Sequence, residues 1–323
     1  MLSVTNLGAS MPDAEFLWQA KSAHDWFNSY QQTCATSSRQ SISLRDLFRR
    51  FMDGELLNEH AELSPIQLRL LLQPLQSLVC HLRQLLSCFS EGANYCKASQ
   101  VVTKSATRAR LEEIQCLLQQ WYAISRRSMQ DSVYPCSATR ANTIMYHLIS
   151  LDTMTCFPEI ERLARCEVRP SPSPQFWRQW HGGEDDQEIL FHGGQVLRVI
   201  RSMPERVRPP WWAAAVYRVA LIAWANRMAN AEMHLATTDL AATAGGQFFA
   251  IDDLPPEHPS IVRYLKHREG LPMFTKLDGS MVSLEVPGKV LAHCIDLLEE
   301  DSKLRFTAGI QSKLVKLAER WRT

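Results

Sequence analysis

The fifteen residues Trp211 to Ala225, WWAAAVYRVALIAWA, are the stretch of sequence that decides the fold. Pro209 and Pro210 precede this stretch, and Arg218 lies inside it. A membrane-spanning helix needs about 20 consecutive apolar residues, so the stretch is too short and is interrupted by a charge. The pattern therefore predicts a helix buried in the core of a globular protein.

Helical spacing continues toward the N-terminus. Ser43 and Asp46 form a capping pair ahead of an apolar stripe, and Ser64-Pro65-Ile66-Gln67 is a strong helix-start signal. Pro74 either bends that second helix or marks its true start. The apolar positions of five predicted helices are Leu44, Leu47, Phe48 and Phe51; Leu71, Leu75, Leu78, Leu82, Leu85 and Phe89, before Gly92; Leu111, Ile114, Leu118, Trp121 and Ile124; Ile144, Leu148 and Leu151; and Pro158, Ile160 and Leu163.

Toward the C-terminus, one helix is predicted over Leu190 to Ile200, and a less regular stretch covers Gly245 to Gly288, with short β pieces expected at Gly279 to Val286. No sustained two-residue alternation is present, which argues against a large sheet. We therefore predict an all-α fold, an irregular multi-helix bundle with long Pro-rich loops. Two closing helices carry Val290, Leu291, Cys294, Ile295 and Leu298, and then Phe306, Ile310, Leu314, Leu317 and Trp321.

The principal internal joint is predicted where composition changes. Arg169 to Pro174 is proline-rich and cannot continue a helix, and Gly182 to Asp186 is polar. These features divide the chain into an entry segment (1–40), an N-terminal helical half (41–168), a linker or loop (169–188) and a C-terminal helical half (189–323). We expect both halves to belong to one regulatory domain.

The charge balance is close to neutral, with 35 Lys plus Arg against 34 Asp plus Glu in 323 residues. Proteins that hold DNA by themselves usually carry a basic excess, because each phosphate contact requires a cation. The nine cysteines show no paired spacing, which fits a reducing compartment. We interpret four of them as small buried apolar residues: Cys80, Cys88, Cys116 and Cys294.

The search for catalytic and metal-binding motifs is negative. The sequence contains no G-x-x-x-x-G-K-[ST] loop, no H-E-x-x-H and no C-x-x-C pair. His192-Gly193-Gly194 resembles the glycines of an esterase oxyanion hole, but no G-x-S-x-G turn accompanies it. We interpret these glycines as close-packing or helix-start residues, and Asp185-Asp186 as a solvated loop. The sequence predicts no catalytic residue, no cofactor and no metal.

Two clusters could instead contact other molecules. Arg198, Arg201, Arg206 and Arg208 are interpreted as a solvated helix face and turn rather than a phosphate site. Trp211, Trp212, Tyr217 and Trp224 belong either to the core or to a ligand-lining or partner-lining surface. The candidate groove for an effector or partner comprises His192, Gln195, Arg198, Trp211, Trp212, Tyr217 and Arg218.

Five segments together resemble a known family. They are Met11-Pro12 and Leu17 to Ala20 with Trp26; Met145 to Leu151 followed by Cys156 to Arg165; Leu190 to Arg198; Pro209 to Ala220; and Arg305 to Ile310 with Arg320-Trp321. In their order they are similar to the fungal-specific transcription factor domain, or middle homology region, found C-terminal to Cys-Cys-His-His zinc fingers. The resemblance covers most of the chain, from about Met11 to Trp321.

That resemblance implies an all-α fold, residence in the nucleus, control of transcription and no catalysis. It implies partners in the transcription machinery, a DNA-binding subunit or a small effector, and it suggests a link to secondary metabolism. Family members carry their zinc fingers N-terminal to this region, and this sequence contains none. A fragment, a shortened gene model and a free-standing regulator all fit that departure.

Two alternatives remain open at the level of sequence. One is an all-helical enzyme with an unrecognised site, which a buried cleft holding carboxylates or histidines of perturbed acidity would favour. The other is a passive helical scaffold, which complete burial of the Trp211–Trp224 helix, with no groove nearby, would favour. Met1 to Ser10 lacks a basic start, so no signal peptide is predicted.

Overall fold

A computed structural model describes residues 20–36, 42–58, 63–91, 104–130, 136–165, 186–234, 247–276, 278–299 and 304–321. These residues form twelve α-helices and three short strands, which confirms the predicted all-α class. The chain divides into two compact units, Met1–Asn142 and Thr143–Thr323. The predicted joint at 169–188 lies almost wholly outside the described residues and stays a prediction.

The first unit is built from helices throughout its described part. Its helices are α1 (Ala23–Thr36), α2 (Leu44–Met52), α3 (Glu55–Asn58), α4 (Pro65–Glu91), α5 (Lys104–Gln130) and the start of α6 (Ser137–Met154). Helices α4 and α5 form a long antiparallel pair, and α2 and α3 pack against that pair.

Both predicted helix starts in this unit are confirmed. The Asp46 amide donates to the Ser43 hydroxyl oxygen over 3.1 Å at the start of α2. At α4, the Ser64 amide donates to Gln67 Oε1 over 2.9 Å, and the Gln67 amide donates back to Ser64 Oγ. These reciprocal bonds satisfy backbone N–H groups that the first helical turn leaves unpaired. The helix α4 then continues through Pro74, so this proline does not mark its start.

Side chains on α5 tie the first unit together. Trp121 is fully buried and donates from Nε1 to the Leu68 carbonyl over 2.8 Å, while Gln120 donates to the Phe51 carbonyl over 3.0 Å. The predicted apolar stripe of α5 is buried throughout. On α4, by contrast, the predicted stripe is buried only at its beginning, because Leu78 and Leu85 are 46% and 45% exposed.

The second unit is built around one helix that most of its other helices contact. The bounds of the elements are α7 (Phe157–Ala164), α8 (Asp186–Arg201), α9 (Trp212–His234), β1 (Phe248–Ala250), α10 (Pro259–His267), β2 (Leu271–Thr275), β3 (Met281–Ser283), α11 (Pro287–Glu299) and α12 (Arg305–Arg320). The central helix is α9, which contacts α7, α8, α11 and α12.

Apolar residues all around α9 explain its central position, because a helix without a polar face must be covered on every side. Trp212 and Trp224 are among the largest fully buried or nearly buried side chains, and nearly every residue between them is buried. The predicted buried core helix is therefore confirmed. Among the described helices, none is long and apolar enough to cross a membrane.

The strands form one small mixed sheet in the order β1-β2-β3. Phe248 of β1 pairs in parallel with Leu271 of β2, and Phe274 of β2 pairs antiparallel with Val282 of β3. The expected short β piece at Gly279 to Val286 is confirmed by β3. The sequence analysis did not anticipate β1, β2 or the intervening helix α10.

Several burial predictions were wrong. Cys80 and Cys116 are exposed, whereas Cys294 is buried as predicted and burial raises the pKa of its thiol. The side chain of Cys88 lies outside the described set. Phe306 is 53% exposed, and the buried face of α12 begins instead at Thr307.

Candidate functional site

His192 lies in the middle of α8. The prediction that it lies near the start of a helix was wrong. His192 is 5% exposed, and its Nδ1 lies 2.8 Å from Nδ1 of His147 on α6. One ring must donate the proton of this hydrogen bond and the other must accept it. Burial lowers the pKa of His192 to about 3, and burial followed by the charges of His192 and Arg198 lowers the pKa of His147. Both rings are therefore neutral at physiological pH.

Gln195 attaches α8 to the turn that follows β1. Its fully buried amide donates to the carbonyls of Ile251 and Leu254 over 3.2 and 3.0 Å. Arg198 donates from Nε to Gln195 Oε1 over 2.7 Å, which orients that amide. The backbone of α8 lies close to this turn, since a Cβ atom added to Gly194 would lie only 2.7 Å from the Ile251 carbonyl oxygen. The prediction that these glycines serve close packing is confirmed at Gly194.

The adjacent tryptophans Trp211 and Trp212 have different environments. Trp212 is 2% exposed, and the Arg208 guanidinium lies 4.9 Å from the centre of its ring. Trp211 is only half-buried against the core. Trp212 therefore belongs to the core, whereas Trp211 contributes less to it.

Tyr217 and Arg218 tie α9 to the helices before it. The Tyr217 hydroxyl donates to Glu161 Oε1 over 2.9 Å, and burial together with this carboxylate raises its pKa to about 12. Arg218 pairs with Asp152 over 2.7 Å and lies 4.7 Å from the centre of the Phe157 ring. The polar groups of Tyr217 and Arg218 therefore both have partners within this unit of the chain.

The seven residues of the predicted groove are thus distributed over buried and half-buried positions on α8, on α9 and in the turn before α9. The structure brings together His192, Gln195 and Arg198 on α8, but it gives Trp212 and Tyr217 separate partners. None of the seven lines the cleft described below. Their role in binding an effector or partner stays a prediction.

Residues of the acidic pair Asp185-Asp186 and of the arginine cluster contact other parts of the fold, although they were predicted to be solvated. Asp186 is the first residue of α8 and accepts a hydrogen bond from Asn226 over 2.8 Å, so it is not a solvated loop residue. Asp185 lies outside the described residues. Among the arginines, Arg206 is exposed as predicted, but Arg201 pairs with a buried carboxylate and Arg208 stacks on Trp212.

That carboxylate belongs to Asp252, which lies two residues after the end of β1 with its side chain fully buried. Arg201 Nη1 donates to Asp252 Oδ2 over 3.0 Å. The Thr275 amide at the end of β2 donates to both Asp252 oxygens, over 2.9 and 3.0 Å. A buried carboxylate needs such partners because desolvation penalises its charge strongly. Asp252 thereby fixes α8 and β2 around one point.

An open cleft of about 200 Å³ lies over this ion pair. Its walls come from α8, from the β2–β3 connection and from one face of α11. The lining residues are Arg201, Thr275, Lys276, Asp278, His293, Asp296 and Leu297.

The floor of the cleft contains unused hydrogen-bonding groups. His293 is 4% exposed, and its Nε2 lies 3.6 Å from Asp252 Oδ2, which is beyond hydrogen-bond distance. Within the described residues, neither His293 Nε2 nor the buried Thr275 Oγ1 has a hydrogen-bond partner. Buried polar atoms are rarely left unpaired, so this pair of atoms marks the cleft as a candidate binding site.

The sequence analysis missed this cleft. Asp252, Thr275 and His293 are separated along the chain and belong to no motif, and only packing brings them together. The one signal in the sequence was Arg201, which belonged to the arginine cluster interpreted as solvated. In the ranges that the structure covers, no group of three or more His, Cys, Asp or Glu side chains could hold a metal ion.

The described residues therefore form an all-α fold with a small polar cleft in its second unit. The chain is also a homologue of proteins named as transcription factors. It is 43% identical over 342 residues to one from Zymoseptoria tritici, 42% identical over 322 residues to Transcription factor 1 of Elsinoe fawcettii, and 30% identical over 328 residues to Transcription factor PfmaH of Pestalotiopsis fici.

These alignments cover 98%, 98% and 99% of this chain, but only 35%, 33% and 33% of the three relatives. The chain therefore spans about a third of the length of the curated relatives it matches. No family model matches the chain, so the predicted middle homology region stays a prediction. No solved structure matches it either.

Proposed function

We propose that this chain is the regulatory part of a fungal transcription factor and acts by binding a partner protein or a small effector. The observation that carries the proposal is the alignment of nearly the whole chain with proteins named as transcription factors. The chain acts in the nucleus, with partners in the transcription machinery or a DNA-binding subunit. Its role is to modulate transcription, not to recognise DNA bases.

The local chemistry supports binding over catalysis. A buried carboxylate beneath the cleft and a buried histidine in its lining lie 3.6 Å apart, and these are the kinds of side chain that the enzyme alternative invokes. However, the Asp252 carboxylate is held by Arg201 and by the Thr275 amide, and therefore serves as a structural anchor. A general base needs a carboxylate or ring nitrogen directed at a substrate proton. The arrangement favours recognition of a small molecule.

A tethering experiment tests the proposed function. The full chain is fused to a heterologous DNA-binding domain, and transcription of a reporter with the matching site is measured in a fungal host. We expect the fusion to change reporter output relative to the DNA-binding domain alone. Gly194→Val should abolish the change because Gly194 has no room for a side chain, whereas Gly309→Ala should retain it because Gly309 faces open space.

One result would contradict the proposed regulatory function. A fusion that is folded and bound at the reporter, yet gives the same output as the DNA-binding domain alone, would show that the chain has no regulatory activity. Folding in the same cells is checked by limited proteolysis, and occupancy of the site by chromatin immunoprecipitation.

A further inference from the structure

The cleft over Asp252 presents charges of both signs toward its opening. Arg201 uses Nη1 for its pair with Asp252, and 19% of its side chain is exposed where it lines the cleft. Lys276, which follows β2, and Asp296, on α11, also line the cleft and are exposed. In the part of the chain that the structure describes, neither Lys276 nor Asp296 forms an ion pair.

Asp278 is a second anion among the residues that line the cleft. Its Oδ1 accepts hydrogen bonds from the Ser280 amide and hydroxyl over 2.8 and 2.6 Å. These neutral donors lower the pKa of the Asp278 carboxyl and so keep it ionised. The charges that line the cleft are therefore two cations, Arg201 and Lys276, and two anions, Asp278 and Asp296.

The two unpaired atoms in the floor define a polar centre between these charges. His293 and Asp296 lie three residues apart on α11, so both belong to the same face of that helix. Thr275 Oγ1 can donate or accept a hydrogen bond, because rotation about its Cβ–Oγ1 bond reorients the O–H group. Leu297 supplies an apolar contact beside them.

We infer that this cleft binds a small zwitterion, a molecule with one ammonium and one carboxylate on a short skeleton, as in a free amino acid. The carboxylate meets Arg201 and Lys276, the ammonium meets Asp296, and a side-chain hydroxyl or amide meets His293 and Thr275. A volume of about 200 Å³ holds roughly seven groups of the size of water, which matches a small amino acid. This assignment names the effector class of the proposed function and rests on it for its biological meaning.

Isothermal titration calorimetry on the purified full chain tests the inference directly. The probes are glycine, alanine, serine and asparagine, each alone, with acetate and ethylamine as controls that carry only one of the two charges. We expect at least one amino acid to bind with a dissociation constant of about 1 mM or tighter, and to bind at least about tenfold tighter than either control. Comparable binding of acetate or ethylamine would overturn the zwitterion assignment.

Matched variants locate the site. Lys276→Ala and Asp296→Asn should each weaken binding about tenfold, since each removes a charged partner of the ligand. Lys289→Ala and Glu285→Gln change exposed charges that do not line the cleft, and should leave binding unchanged. All four residues are exposed, so their substitution should preserve the fold. Binding that survives both cleft variants would overturn the proposed site.

The calorimetric outcome is independent of the reporter assay. If no amino acid binds to the folded chain at about 10 mM, the ligand assignment fails, even where the tethered chain regulates transcription. If an amino acid binds through Lys276 and Asp296 but the tethered chain is inert, the cleft is a ligand site and the proposed regulatory function fails.

Discussion

At the scale of single residues, the hydrogen-bonded pair of His147 and His192 makes stability depend on pH. Both folded-state pKa values lie below 6.5, the value in an unfolded chain, because burial disfavours the charged rings. The unfolded state therefore binds protons first as the pH falls. The stabilising effect of the neutral pair is complete above about pH 6.5 and is lost progressively toward pH 3.

We therefore expect His192 to lower the free energy of unfolding by about 2 kcal/mol between about pH 7 and pH 5, and His147 to lower it further. Urea denaturation at both pH values measures this loss. The double variant His147→Asn/His192→Asn retains amide groups that can bond to each other and should lose less stability over the same range. Exposed His267→Asn should behave like the unmodified chain.

An equal loss in the unmodified chain and in the double variant would refute this explanation. NMR titration provides a second measurement that does not require a folded variant. The His192 imidazole signal should keep its neutral chemical shift down to about pH 4, since the pKa of His192 is about 3.

Exposure was the least predictable property of single residues. Cys80 follows Val79, which is buried, and the adjacent position on a helix faces another direction. Sequence composition identifies cysteine as a residue that is usually buried, but only the packing of α4 decides which face is covered. The same reason separates half-buried Trp211 from fully buried Trp212.

At the scale of helices and strands, the contact between α8 and the turn after β1 has no spare room. A methyl group on Gly194 would lie 2.7 Å from the Ile251 carbonyl oxygen, which is a backbone atom and cannot move aside cheaply. We expect Gly194→Ala to lower the free energy of unfolding by about 2 kcal/mol, as overpacking of a core does. It should also disturb the two hydrogen bonds from Gln195.

Gly309→Ala on α12 is the matched control. A methyl group there meets nothing within 4 Å, and alanine favours a helix over glycine by up to about 1 kcal/mol. This variant should raise the melting temperature, while Gly194→Ala should lower it. A neutral or stabilising Gly194→Ala would show that the close approach is relieved at little energetic cost.

The elements that could be predicted from the sequence were helices whose capping residues and apolar stripes lie within a few positions of one another. The Ser43 and Ser64 caps, and the apolar stripe of α5, depend on residues three or four positions apart. The strands β1 and β2 contain three and five residues, and they pair across the intervening helix α10. Such pairing depends on contacts distant in sequence, which short-range patterns do not encode. The cleft over Asp252 depends on that same pairing and was missed with it.

At the scale of the whole molecule, the charge balance determines how the isolated chain should behave toward DNA. Its 35 basic and 34 acidic side chains give a net charge of +1, with histidines neutral. Neutralisation of phosphates and release of counterions supply most of the affinity of nonspecific DNA binding. The arginine cluster adds little, because Arg201 is paired with Asp252 and Arg208 is stacked on Trp212.

We therefore expect the isolated chain to bind duplex DNA with a dissociation constant weaker than about 1 µM near 0.15 M salt, without sequence preference. Fluorescence anisotropy with a labelled random-sequence duplex measures the affinity, and selection from a random library measures the preference. The exposed Arg206→Ala variant should change neither, since a single surface cation contributes little to such weak binding. Enrichment of one sequence, with nanomolar affinity that Arg206→Ala or added salt weakens, would show that this chain holds DNA itself and does not depend on another DNA-binding element.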